Sequence, residues 1–474
     1  MSVVAARTVR QEKSYREQIA RLRREASEQA QPLLASGAAP IRVMARMVAD
    51  IIAECRQRDI PEDMVAAEVT NRTIGDIDVR RISAVDDGPE FVSIADELGI
   101  ALPGEVIGGH TASGARARWI HRRMMELERE ILERHIDLRI YDIAGVGVLP
   151  LRERVADYVA REWGVVFDPA TIYASLGSLD ALSKFFQGLM ASVRRPGAPH
   201  PQFSVIFPAP GFNVPEWQAN NIGIRSQRIM TRPEDRFQVT PQSLSDALDA
   251  APDARAIYLT ISNNPTAFAF SADELGALYN MLDARGSDLL VIADLAYIGT
   301  GDPAEDRARM QALTTPERRA RTVYCGTFSK SHTLTGDRYG WIAFGSAEVA
   351  QRVAAGWTNT TASLPADWQL RYMATIELLQ AHPEVHDRIR ELYAVRRRRL
   401  VSELTALNAR KTIFETINLD DGGTVYNWSQ LAPGEDVFSL FARTGIAGVP
   451  GGAFGYSDDY IRLSVGCVPV RSRS

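Results

Sequence analysis

TVYCGTFSKSHTLTGDRYGW, residues 322–341, decides the reading of this sequence. It opens on TVYCG, a β-branched and aromatic run without polar alternation, as expected of a strand covered on both faces. Lys330 follows, flanked by Thr327 and Ser329, with Arg338 and Gly340 close behind. A lysine after a strand is ordinarily a surface charge. This one is delivered among hydroxyls by a buried strand, and poor solvation keeps a lysine amine neutral and nucleophilic. Hydroxyls and an arginine nearby can bind a phosphate dianion.

Working outward, runs of the same kind recur between helical stretches: TIYASL, FSVIF, IGIRSQ, AIYLTI, LLVIA and GWIAF. Together they predict a doubly wound α/β domain over residues 140–345, with a mostly parallel seven-stranded sheet and ligands at the carboxyl ends of its strands. Residues 346–474 begin with long helices and end in short strands around ETINL, TVYNW and YIRLSVG, a smaller α+β domain. Within them RRRRL (396–400) reads as a solvated helix face.

Residues 1–139 read as a helical N-terminal extension that forms part of the small domain. Ile19, Leu22 and Ala26 make a thin apolar stripe; Val43, Met47, Val48, Ile51 and Ile52 make a better one. A third helix, RARWIHRRMMELEREILERHI, follows the turn GGHTASGA.

A length of 474 residues implies two or more domains. With 45% hydrophobic and 24% charged residues the composition is that of a globular enzyme, and a net charge of −5 argues against nucleic acid as a partner. Cys55, Cys325 and Cys467 lack zinc or disulfide spacing, so no metal is expected and a reduced, cytoplasmic setting fits. The first residues lack a secretory h-region, and no apolar run is long enough for a membrane span.

Other segments carry chemistry. Asp294 closes the apolar run DLLVIADLAYIG (288–299), at the carboxyl end of a predicted parallel strand. SLGSLDALSKFF (175–186) reads as strand, glycine turn and helix. The backbone N–H groups of Gly177, Ser178 and Leu179 at that helix start suit a phosphate. ISNNPTAFAF (261–270) holds an Asn-Pro turn with Asn264.

In this order the segments resemble the pyridoxal-5′-phosphate (PLP) fold-type I aminotransferase superfamily, of the class I/II kind. The lysine stretch is similar to the family signature, which implies that Lys330 carries PLP and that Thr327 and Arg338 bind its phosphate with the Gly177–Leu179 turn. The resemblance further implies Asp294 at the pyridine nitrogen, Tyr297 at the phenolic oxygen, and Phe212 of FPAPGFNVPEW (207–217) stacked on the ring. ISNNPT resembles the N-P-T-G turn, whose asparagine touches cofactor and substrate, although Ala267 replaces the glycine. GVPGGAFGYSDDYIRLSVG (448–466) resembles the stretch whose arginine, here Arg462, forks the substrate α-carboxylate. In RIYDIAGVGVLPLRERVADYV (139–159), Tyr141 matches a tyrosine that reaches the phosphate of a neighbouring subunit, with spacing about one residue off. The resemblance covers roughly two thirds of the chain, from Tyr141 to Gly466.

These parts imply an enzyme acting on the α-carbon of an amino acid, with Lys330 as general base, Arg462 and Asn264 fixing the carboxylate, and transamination as the reaction. The alternative is γ-replacement, C–C bond formation or cyclisation in natural-product biosynthesis, using S-adenosylmethionine or a related γ-substituted amino acid. A third reading, a cofactor-free binding protein, conflicts with the chemically competent residues at every matched position. The GWTNTTASLP loop (356–365) offers Thr358, Asn359 and Thr360 where dicarboxylate-specific members carry a second arginine. The family also implies a homodimer with shared sites. The N-terminal helices would then be an arm or lid, through the turn with His110 and Arg116, or added packing surface.

Overall fold

The computed structural model describes residues 3–75, 113–194, 201–419 and 423–466. All seven apolar runs become strands: β2 (Ile172–Leu176), β3 (Ser204–Ala209), β4 (Arg225–Met230), β5 (Ala254–Thr260), β6 (Leu290–Asp294), β7 (Thr322–Thr327) and β8 (Tyr339–Phe344). They form one sheet in the order β2-β8-β7-β6-β5-β3-β4, parallel except for β8, which is antiparallel to both neighbours. The expected α/β fold is therefore the one observed.

Side chains alternate across the sheet, as the pleat requires. One face presents Phe207, Tyr258, Ile292, Val323 and Cys325 to Phe185 and Leu189 of the helix Ser178–Val193. The other presents Ile206, Ile257, Val291 and Tyr324 to a larger core. β6, β7 and β8 are buried along their whole length. The edge strand β4 (RSQRIM) keeps only one of its six residues buried, and its polar, partly exposed side chains protect the open edge from pairing.

Among the described residues the helices of seven residues or more are, in chain order, α1 (Val3–Ala35), α2 (Pro40–Gln57), α3 (Glu62–Glu68), α4 (Ser113–Glu133), α5 (Leu149–Trp163), α6 (Ser178–Val193), α7 (Val214–Asn221), α8 (Pro241–Ala250), α9 (Ala272–Ala284), α10 (Pro303–Leu313), α11 (Ala347–Val353), α12 (Ala366–Ala381), α13 (Pro383–Lys411) and α14 (Val437–Thr444). A second, antiparallel sheet has the order β12 (Val449–Pro450), β13 (Tyr460–Ser464), β10 (Tyr426–Leu431), β9 (Phe414–Thr416). The N-terminal chain joins this part: β1 (Thr70–Asn71) pairs in parallel with β11 (Ile446–Ala447). In α1, Ile19 and Leu22 are buried as their stripe predicts. Arg23 is buried beside them and donates to Glu68 O at 2.8 Å.

One expectation fails. RRRRL is not a solvated face, because Arg396 and Arg397 are buried. Arg396 Nη1 donates to Val465 O and Gly466 O at 3.1 and 2.6 Å, and Arg397 Nη1 to Thr424 O at 2.6 Å. Two of four consecutive helical positions inevitably turn inward, and here they satisfy carbonyls at strand ends that lack ladder partners. The turn at 108–112 with His110, the Arg116 side chain and Cys467 lie outside the described residues. Among the described residues no helix is long and apolar enough to cross a membrane.

Candidate active site

The carboxyl ends of β2, β3, β5, β6 and β7 bring the named segments to one edge of the large sheet. At the end of β2, Gly177 opens α6 with φ +85° and ψ 167°, a backbone essentially confined to glycine. A Cβ there would lie 2.4 Å from Arg338 Nη2, so the guanidinium rests against this turn. Arg338 also donates to Thr335 O at 2.9 Å. Gly340 lets β8 approach, since its Cβ would fall 2.5 Å from Gly177 Cα and 2.8 Å from Ser178 N. No side chain caps α6, which leaves its first N–H groups beside a cation: a fitting phosphate cradle. Thr327 Oγ1 lies 2.9 Å from Ser329 Oγ and donates to Tyr339 O at 2.8 Å.

Lys330 is half-buried, and its Nζ donates to Gly75 O, while its own carbonyl accepts the Tyr393 hydroxyl at 2.7 Å. The chain has only four lysines, Lys13, Lys184, Lys330 and Lys411. Lys13 and Lys411 are exposed. Lys184 is paired with Asp180 at 2.7 Å.

Asp294, at the end of β6, is buried and accepts from the Tyr258 hydroxyl and, at 2.9 Å, from Ala296 N. Burial pushes its carboxyl above the ordinary 3.8, and the two hydrogen bonds only partly offset this. Among the described residues no cation pairs with it. Tyr297, also buried, donates to the Tyr426 hydroxyl at 3.0 Å, and burial raises its own pKa.

Arg462, on β13, is the complementary case. It is 2% exposed. Its Nη1 donates to Asn264 Oδ1 at 3.0 Å and its Nη2 to Thr73 O at 2.6 Å, while Nε has no partner. The guanidinium lies 4.3 Å from the Tyr426 ring centre and 4.9 Å from that of Phe454, aromatic faces that favour a cation. No carboxylate pairs with it among the described residues. A buried cation lacking an anion, and a buried anion lacking a cation, both call for a ligand.

Asn264 is buried in its turn, and Ala267 adopts φ +66°. Left-handed backbone costs alanine about 1 kcal/mol, a strain that a glycine at this position would not carry. Phe212 is half-buried on the turn after β3, which Gly211 N→Phe454 O (3.1 Å) and Asn213 Nδ2→Ala453 O (3.0 Å) tie to the Arg462 region. Tyr141 is 78% exposed in the single chain, between Ile140 and Ile143, themselves exposed.

Several residues at the site escaped the sequence reading. Thr73 and Gly75 belong to the N-terminal segment after β1, where no signature was visible. Tyr426, Phe454 and Tyr258 lie inside quoted runs, but nothing in a strand pattern separates a site tyrosine from a core one.

The family described as aminotransferase class I and II matches residues 122–471. A histidinol-phosphate aminotransferase of Rubrobacter xylanophilus is 32% identical over 239 residues, 48% of this chain and 63% of that protein. The chain thus spans under two thirds of that relative's length. An aspartate aminotransferase of Geobacillus stearothermophilus is 25% identical over 325 residues, 67% of this chain and 77% of that protein. Among solved structures, Thermus thermophilus aspartate aminotransferase with maleate has the same fold, with a TM-score of 0.61 at 20% identity, covering 88% of this chain and 91% of that one.

Proposed function

The chain belongs to the class I and II aminotransferases, a PLP-dependent family, and on that premise we propose that it transfers the amino group of an α-amino acid to a keto acid. The observation that carries this reading is the pair of buried, uncompensated charges, Asp294 and Arg462, at one site. A cofactor with a cationic ring nitrogen complements the first. An amino-acid α-carboxylate complements the second.

Bound there, PLP supplies an electron sink that stabilises negative charge at the substrate α-carbon. Lys330 is the residue proposed to carry it, with Gly177, Ser178, Leu179, Thr327 and Arg338 around the phosphate and Phe212 against the ring. Asp294 would hold the proton on the ring nitrogen, and Tyr297 would hydrogen-bond the phenolic oxygen. Arg462 forks the α-carboxylate, with Asn264 fixing the guanidinium from one side and Thr73 O from the other. Lys330 Nζ, released when the substrate amine takes its place on the cofactor, would accept the α-proton as general base. Transamination is favoured over γ-replacement or cyclisation because the matched relatives are aminotransferases of several kinds.

The exposed Tyr141, with Ile140 and Ile143, supports a homodimer in which this loop completes the partner's phosphate site. Thr358, Asn359 and Thr360 are exposed on their loop and offer no second arginine, which speaks against a dicarboxylate side chain held by that route. The buried free thiols Cys55 and Cys325 suit a reducing, cytoplasmic setting.

The test is to present the yellow protein with a panel of amino acids plus S-adenosylmethionine. Loss of the visible band with keto-acid release, reversed by a second keto acid, is expected. Consumption of a γ-substituted amino acid without keto acid would refute transamination.

A further inference from the structure

Tyr258 has no part in the chemistry above, yet its hydroxyl is one of only two donors to Asp294 among the described residues. The register of β5 and β6 sets Thr260 opposite Asp294 and Tyr258 opposite Ile292. Tyr258 therefore reaches diagonally along one face of the sheet to Asp294 Oδ2. Its ring is buried, packed 5.9 Å from Phe207, and cannot swing away without opening the core. A carboxylate offers about four lone-pair sites. Tyr258 and Ala296 N occupy two, which leaves room for a ring N–H.

We propose that Tyr258 is a positioning residue that keeps the proton shared by Asp294 and the cofactor's ring nitrogen on the nitrogen. This rests on the reading that Asp294 holds that nitrogen. A shared proton settles on the stronger base, and burial strengthens Asp294 as a base. An O–H donated to Oδ2 stabilises the carboxylate's charge and weakens it as a base. If the proton moved to Asp294 the ring would be neutral and a poorer electron sink.

Among the described residues no other facing side chain donates to Asp294: Thr260, opposite it on β5, hydrogen-bonds Tyr258 instead. Cys325, opposite Asp294 on β7, is a thiol pushed up by burial and hence neutral. Tyr297 donates to Tyr426 instead. On α6, Asp180 and Lys184 pair with each other.

The experiment uses the holoenzyme loaded with PLP enriched in 15N at the ring. In Tyr258→Phe the ring-nitrogen signal is expected to move toward the unprotonated position. kcat should fall about tenfold while KM changes less than about threefold. Asp294→Asn is the control and should move the signal fully. A wild-type signal in Tyr258→Phe alongside a moved one in Asp294→Asn overturns the proposal. An unmoved signal in both overturns the Asp294 reading instead. Should Tyr258→Phe fail to fold, p-aminophenylalanine at position 258 keeps the shape with a weaker donor. Its signal should move toward the unprotonated position, and an unmoved signal there also overturns the proposal.

Discussion

Arg462 shows how much one residue's setting can say. Its guanidinium is held by Asn264 and Thr73 and flanked by two aromatic rings, with no acidic partner among the described residues. Lysine cannot reproduce a planar fork, so Arg462→Lys should raise KM for the amino acid about 100-fold with a smaller effect on kcat, read from steady-state kinetics. Asp294 makes an opposite prediction for stability. Its pKa is raised in the folded apoprotein above the ordinary 3.8. Its contribution is therefore fully present below that value and is lost as pH rises through the raised one. Asp294→Asn removes the penalty. At neutral pH the apoprotein variant should melt a few degrees higher than wild type, yet bind PLP more weakly. An apoprotein that melts lower would contradict the uncompensated charge. Lys330 and Asp294 were legible because one follows an apolar run and the other closes one, and strand ends are where such sheets bind ligands. Tyr258 was not, since a buried tyrosine on a strand looks the same whether it serves a site or a core.

At the scale of elements, the β2–α6 turn links backbone conformation to cofactor binding. Gly177→Ala would force alanine into a glycine-only conformation and press its Cβ against Arg338. PLP affinity should fall about tenfold or more through loss of charge-assisted phosphate contacts; unchanged affinity would place the phosphate elsewhere. The buried strands could be read from β-branched runs alone, because burial on both faces erases polar alternation, whereas the exposed edge strand β4 was marked only by the short run IGIRSQ. The Arg396–Arg397 pair could not, because its partners are carbonyls of strands far along the chain.

For the whole molecule, the N-terminal 75 residues are the largest departure from what sequence offered. They read as helices without a signature, yet they carry Gly75 O to Lys330 and Thr73 O to Arg462. Their anchors are tertiary: β1 on β11, and Arg23 on Glu68 O. No local pattern encodes such contacts. Deleting residues 1–35 should expose the surface that Ile19 and Leu22 cover, lower the melting temperature by several degrees and raise amino-acid KM through the loosened Thr73 segment. Unchanged melting and kinetics would reduce these helices to ornament.

The central claim is that Lys330 holds the cofactor, and the scarcity of lysines makes it directly testable. Borohydride reduction of the holoenzyme, followed by proteolysis and mass spectrometry, fixes the cofactor to the amine that bears it. The account predicts a phosphopyridoxyl label on the peptide containing Lys330 and none on those containing Lys13, Lys184 or Lys411. A label on any of those three, or an unlabelled Lys330 in the yellow protein, would contradict it.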